Sequence, residues 1–272
     1  MTPMFDLPIP PPPVAEAVSA RPAWDLTLGL ISATVQIDQP LADGENRRVG
    51  SAFLVGAPGA DGVPRTVMVT AAHVLDGMPA AEARIGWRIR TVEGPWRFAP
   101  EPLRIREEDG SPRWTRHPER DIAVMAVSAP PEFARAAIPL GWLAGPQALE
   151  AWQVGPGDEL LTLGYPHGYA ANKVGFPILR TGRIASWPLT PIGEFPTFLL
   201  DFAVFPGNSG GPVFWTPAAR KLPGTAQPEH PFVAGVLVQS MQVGGRDVGI
   251  GIVAHADYVR EAIALMDAPP GP

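Results

Sequence analysis

The run Gly207-Asn208-Ser209-Gly210-Gly211-Pro212 sets one serine among three glycines, between two strand-like apolar stretches. Glycine tolerates positive φ and the close approach of other backbone, so a tight turn here can aim successive N–H groups at one point. Such a nest can hold an oxyanion, with the N–H groups of Gly207 and Ser209 as the main donors and Asn208 between them counted in the same oxyanion hole. A serine in that nest stands beside the carbonyl it would attack. Taken alone, the run reads equally well as a glycine-rich turn with an incidental serine.

A serine hydroxyl is a poor nucleophile near neutral pH. It needs a base within reach, and the base needs a partner that fixes its tautomer. Thr70-Ala71-Ala72-His73-Val74-Leu75 places a histidine at the exit of a β-rich run, and imidazole suits proton transfer near pH 7. Arg120-Asp121-Ile122-Ala123-Val124 opens an apolar strand with a carboxylate. A carboxylate so placed calls for a hydrogen-bonded partner, and a histidine Nδ1–H would serve. The plainer readings are a surface or core histidine and an aspartate that caps the turn after Pro118. Asp76 and Asp201 compete for the acid's role, Asp76 being a close chain neighbour of His73. Base, acid and nucleophile occur once each, in the order His73, Asp121, Ser209, and their joint occurrence carries the reading.

The elements that must position them read as strands. Leu30 to Ile37 is β-rich, with Ala33, Val35 and Ile37 alternating with Thr34 and Gln36. Further short runs are Gly50 to Val55, Arg65 to Thr70, Arg84 to Val92, Ile122 to Val127, Leu160 to Leu163, Leu199 to Phe205, Pro212 to Trp215, Val233 to Val238 and Val248 to Val253. Many short strands punctuated by Gly and Pro suggest a sandwich or barrel. One helix stands out: Asp257 caps it, Tyr258, Val259, Ala262, Ile263 and Met266 share a face, and Pro269 stops it. The expectation is an all-β body closed by one C-terminal α-helix.

Composition narrows the function. Of 272 residues 46% are hydrophobic, enough for a sizeable core, and 18% are charged. The net charge of −6, without a basic run, disfavours nucleic acid as a partner, since phosphate binding needs a concentrated basic face. There are no cysteines, which excludes disulfides and thiol catalysis. No pair among His117, His167, His230 and His255 has metal-ligand spacing, and they read as structural or surface histidines. The N-terminus lacks the features of a signal peptide, and no run is long and apolar enough to span a bilayer, so no membrane partner and a cytoplasmic location are expected. Residues 1–23 and 268–272 read as disordered Pro-rich tails. The Pro-rich stretch Trp215 to Pro231 reads as a lid, a partner-binding loop or a tolerated insertion.

These motifs together resemble the trypsin-like serine peptidases of the chymotrypsin fold, more closely the bacterial HtrA/Deg branch than the digestive enzymes. Gly50 to Val55 is similar to that family's strand leading to the histidine, and Thr70 to Val74 and Asp121 to Val124 to its histidine and aspartate motifs. Gly164-Tyr165-Pro166 and Thr181 to Ser186 resemble the turn and strand before the nucleophile, Gly207 to Pro212 the nucleophile motif, and Gly249 to Val253 the last strand. The resemblance implies two six-stranded antiparallel β-barrels, about 24–140 and 150–256, with a terminal helix at 257–267. It implies endopeptidase chemistry through an acyl-enzyme at a site between the barrels, with no metal or cofactor, acting on protein or peptide substrates.

Departures qualify that implication. Asn208 stands where zymogen-activated relatives carry Asp, so activation by a new N-terminus is not expected. No peptide-binding (PDZ) domain is expected after residue 267. Val238 stands where digestive relatives place a serine that hydrogen-bonds the catalytic aspartate, so Asp121 needs another donor. By resemblance, Ala203 to Pro206 and Val236 to Ser240 wall the primary pocket, with Ala203, Val238, Gln239 and Ser240 against substrate. Ala203 in place of an acid disfavours Lys or Arg at P1. The alternative to an active endopeptidase is a protease-fold binding module that is inactive or acts only on the signal of an activating protein partner. An esterase with the same triad ranks below both, because no Gly-x-Ser-x-Gly elbow or strand–helix alternation is present.

Overall fold

Leu26, Gly29, Leu30 and Ala33 recur at spacings of three and four and are all buried. The helical period prevails over β propensity there, and helix α1 (Leu26–Ala33) takes the first half of the stretch read as a strand. The computed structural model describes residues 26–42, 46–90, 94–215 and 231–267. The two Pro-rich tails and most of the 215–231 stretch, with His230, lie outside the described residues.

Among the described residues eight strands make the N-terminal half: β1 (Thr34–Pro40), β2 (Arg47–Pro58), β3 (Pro64–Thr70), β4 (Glu82–Arg90), β5 (Trp96–Arg104), β6 (Thr115–Arg116), β7 (Ala123–Ala126) and β8 (Ile138–Pro139). They form one sheet in the order β5-β4-β1-β2-β3-β7-β6, with β8 against β2. The path does not close into a hydrogen-bonded ring among the described residues. Its end strands account for that: β6 has two residues, and Pro100 and Pro102 remove two donors from β5. Val35 and Ile37 of β1 face the core as the alternation predicts, but Thr34, Gln36 and Asp38 are buried too. The polar face of β1 meets the C-terminal half instead of solvent, Gln36 Nε2 donating to Gly168 O at 3.1 Å.

The C-terminal half is a closed barrel of six strands, β9 (Glu159–Gly164), β10 (Ile178–Ile184), β11 (Thr197–Asp201), β12 (Pro212–Trp215), β13 (Phe232–Val243) and β14 (Arg246–His255). The run read as a strand to Phe205 leaves the barrel at Asp201, and residues 202–205 lead into the turn before Ser209. β13 and β14 extend farther than their apolar stretches. Gly244 and Gly245, with φ of 59° and 77°, close them as a two-residue hairpin turn that only residues tolerant of positive φ can make.

Three short helices escaped the sequence pattern, α2 (Ala72–Asp76), α3 (Pro131–Ala136) and α4 (Pro146–Ala151), the last two opened by proline at the first helical position. The expected terminal helix is α5 (Asp257–Leu265), with Tyr258, Val259, Ala262 and Ile263 buried. Asp257 is its first helical residue, not its cap; the capping position is Ala256 and no side chain caps it. α5 ties the halves together: Tyr258 O–H donates to Ile192 O at 2.8 Å, and His117 Nε2 lies 2.9 Å from Glu261. One apolar core fills the N-terminal half and reaches Val236, Val238 and Ala254; a second fills the barrel around Leu160, Phe198 and Leu237. Among the described residues no helix is long and apolar enough to cross a membrane.

Candidate active site

His73 lies in the first turn of α2, directly after β3, and Asp121 lies just before β7. β3 and β7 are antiparallel neighbours with Thr70 opposite Ala123, so the pairing brings the two side chains to the same end of the sheet. Asp121 Oδ2 is 2.6 Å from His73 Nδ1, and Asp121 Oδ1 accepts the backbone N–H of His73 at 2.9 Å. That second bond is the donor the sequence called for, since Val238 offers none. Burial pushes the Asp121 carboxyl up, but the hydrogen bonds and charge of His73, with Arg116 nearby, outweigh it and hold the carboxyl below its ordinary value. Of the competing acids, Asp76 is ion-paired with Arg116, and Asp201 is exposed on β11.

Ser209 lies in the turn before β12. Its Oγ donates to Val238 O at 3.4 Å, and no bond to His73 is formed. A cleft of 960 Å³ is lined by His73, Asp121 and Ser209 together. Hydrogen bonds of this kind are commonly long in unliganded sites and tighten around substrate.

The backbone around Ser209 is fixed by its carbonyls. Pro206 O accepts the N–H of His167 at 2.6 Å, Gly207 O accepts Ser51 Oγ at 2.7 Å, and Asn208 O accepts the N–H of Gly211 at 3.1 Å. Across a trans peptide the N–H points opposite the C=O, so these bonds also aim the N–H groups of Gly207, Asn208 and Ser209. Asn208 N–H is used within the turn, on Phe205 O at 3.0 Å, which removes Asn208 from the expected oxyanion donors. The N–H groups of Gly207 and Ser209 meet no acceptor among the described residues. Gly207 has φ of 95°, and a Cβ there would lie 2.3 Å from Tyr165 O, so the turn admits no larger residue.

The expected pocket residues Ala203, Val238, Gln239 and Ser240 all line the cleft, as do Val204, Phe205 and Pro206; Val236 is buried instead in the core. The sequence reading stopped short of Gln242, Gly245, Asp247 and Gly249, which carry the cleft outward along the β13–β14 hairpin. The Gly-Gly pair with alternating residues on either side was the available signal. It also missed Ser51, fully buried in β2, and the part of His167, a left-handed residue with φ of 52° whose ring lies 5.4 Å from Phe205. No group of His, Cys, Asp and Glu able to hold a metal occurs among the described residues.

Residues 50–218 match the family model of the trypsin-like peptidase domain. Among solved structures, the HtrA-type protease AlgW with tripeptide is 16% identical, with a TM-score of 0.53 over 89% of this chain and 62% of that one. The serine endoprotease from Yersinia pestis is likewise 16% identical, with a TM-score of 0.52 over 89% of this chain and 65% of that one. At such identity the likeness is one of fold, and this chain spans less than two thirds of either relative. No curated protein matches it in sequence.

Proposed function

The chain belongs to the trypsin-like peptidase family, and from that premise we propose how it works as a serine endopeptidase. Ser209 Oγ attacks the scissile carbonyl while His73 Nε2 takes its proton. Asp121 holds the Nδ1–H of His73 and stabilises the imidazolium that forms. The oxygen of the tetrahedral intermediate accepts the N–H groups of Gly207 and Ser209. Collapse breaks the C–N bond, His73 protonates the leaving amine, and water enters by the same route in reverse to hydrolyse the acyl-enzyme.

The reading rests most on one observation: a histidine bonded twice to a carboxylate in the cleft that also holds the serine. The substrates are proteins or peptides. Ala203, Val204 and Val238 favour a small or medium apolar P1 side chain, since a buried cation would find no acid at Ala203. Ser209→Ala should abolish peptide cleavage, with kcat down roughly 10⁴–10⁶-fold and the melting temperature preserved. Equal cleavage by the variant rejects the mechanism.

A second reading, a module that cleaves only when an activating protein partner binds, draws support from the Ser209 hydroxyl donating to Val238 O rather than to His73. A fluorophosphonate probe separates the two. Fast labelling of Ser209 in the isolated protein favours the endopeptidase, and labelling that waits for a partner favours the module.

A further inference from the structure

Arg88 stands in β4 with 2% of its surface exposed and no carboxylate beside it among the described residues. A buried charge without a counter-ion is costly, and an apolar residue of similar volume would fill the space without that cost. The guanidinium is spent on backbone and one phenol. Nη1 donates to Thr34 O at 2.7 Å and to the Tyr165 hydroxyl at 3.0 Å, with Gly175 O at 3.4 Å. Nη2 donates to Ser32 O at 2.7 Å and Ile31 O at 3.2 Å, carbonyls at the negative end of α1. The rings of Phe133 and Phe176 lie 4.9 and 5.1 Å away and close the site.

Tyr165 begins the turn behind Ser209. Its O accepts the N–H of Gly168 at 2.8 Å, closing the turn Tyr165 to Gly168, and its own N–H donates to Ser51 Oγ at 3.0 Å. The far end of the turn is tied to the N-terminal sheet as well. Gly168 O accepts Gln36 at 3.1 Å and Arg47 at 3.2 Å, and Arg47 is braced by Asp38 at 2.8 Å. The middle of the turn presents the His167 N–H to Pro206 O. With that carbonyl claimed, the Gly207 N–H points away from the turn and stays unclaimed among the described residues.

We propose that Arg88 is a positioning residue for the oxyanion donors. It holds Tyr165, and so the Tyr165–Gly168 turn, so that the Pro206–Gly207 peptide is set before any substrate or partner arrives. This rests on the peptidase mechanism above and adds to it that the resting site is competent unaided.

The test compares wild type with Tyr165→Phe, which deletes one oxygen, and with Arg88→Met and Arg88→Lys. The measurements are kcat and KM on a peptide substrate, the fluorophosphonate labelling rate, and the melting temperature. Tyr165→Phe should lower kcat and the labelling rate together, by roughly 10–100-fold, with KM within about twofold. Arg88→Lys, which keeps the charge and some donors, should retain more kcat than Arg88→Met. Should Arg88→Met fail to fold, Tyr165→Phe decides alone. Unchanged kcat and labelling in fully folded Tyr165→Phe, or losses that only track its unfolded fraction, overturn the proposal. Wild type that labels at Ser209 only after a partner is added overturns it too and leaves the peptidase mechanism standing. Wild type that never labels overturns both.

Discussion

The hydroxyl of Ser51 donates to the carbonyl of Gly207 at 2.7 Å, joining a strand of the first half to the turn that carries Ser209. The same oxygen accepts the Tyr165 N–H, and the Ser51 N–H donates to Ser209 O at 2.9 Å. Ser51→Ala strands a buried carbonyl and a buried N–H at once, a cost of about 1–3 kcal/mol for each. The expected outcome is a lower melting temperature and a kcat at least about tenfold lower at unchanged KM, since the peptide beside the oxyanion donors loses its anchor. Steady-state kinetics well below the melting temperature check it, and a wild-type kcat would refute it.

Asp121→Asn keeps the size of the side chain but can fix His73 in the wrong tautomer, so kcat should fall by roughly 10⁴-fold while peptide binding survives. The wild-type carboxyl lies below its ordinary value. Its ionisation therefore persists into acid, and the acid limb of the wild-type rate profile should not report Asp121 until pH drops below the usual carboxylate range. A pH–kcat/KM profile tests both statements.

Gly207→Ala meets Tyr165 O and a φ of 95° together. The turn must shift, and with it one donor, for a kcat loss of roughly 10²–10³-fold. Fluorophosphonate labelling should slow in proportion, and labelling at the wild-type rate would show that the Gly207 N–H is not a donor.

His255 is buried, and burial pushes it from 6.5 down to about 4, against the opposing effect of its bond to Phe195 O. Between those values the unfolded chain holds a proton that the folded one refuses. Stability is thus full above pH 6.5 and declines as pH falls toward 4, by roughly 3 kcal/mol at most. His255→Gln keeps a donor for Phe195 O and should flatten that decline. Urea midpoints at pH 7.5 and 4.5 for both proteins measure the difference.

Asp247 lines the outer cleft, exposed, with one carboxylate oxygen on the Gly249 N–H at 2.7 Å and the other open. Asp247→Lys should lower kcat/KM for peptides with Lys or Arg flanking the cleaved bond by about 5–10-fold, and raise it for acidic ones. Equal profiles from a peptide library would remove Asp247 from the specificity surface.

What the sequence disclosed is the local setting of each candidate residue. His73 at a strand exit, Asp121 before an apolar strand and Ser209 among glycines could each be read within a few residues. β12 was legible to its ends because proline opens an apolar run there. The supports were hidden because they act at long range. Nothing local marks Ser51 as the partner of Gly207, or Gln36 as the partner of Gly168, since a polar residue on an alternating strand reads as solvent-facing until another half of the fold covers it. Asn208 sits in the oxyanion motif yet turns its N–H inward, a matter of peptide orientation that composition does not record. α1 was obscured because Leu30 to Ile37 satisfies two periods at once and tertiary burial chose between them.

α5 is the last described element, and with the turn after it holds both halves: Glu261 pairs with His117 near Asp121, Tyr258 with Ile192 of the barrel half, and Asp267, just past the helix, with Arg65 of β3. A chain cut back to β14 still carries Ser209, His73 and Asp121, yet lacks the clasp that keeps the walls of the cleft in step. Removing residues 257–267 would therefore leave each of those side chains in the chain and still let the cleft lose its shape.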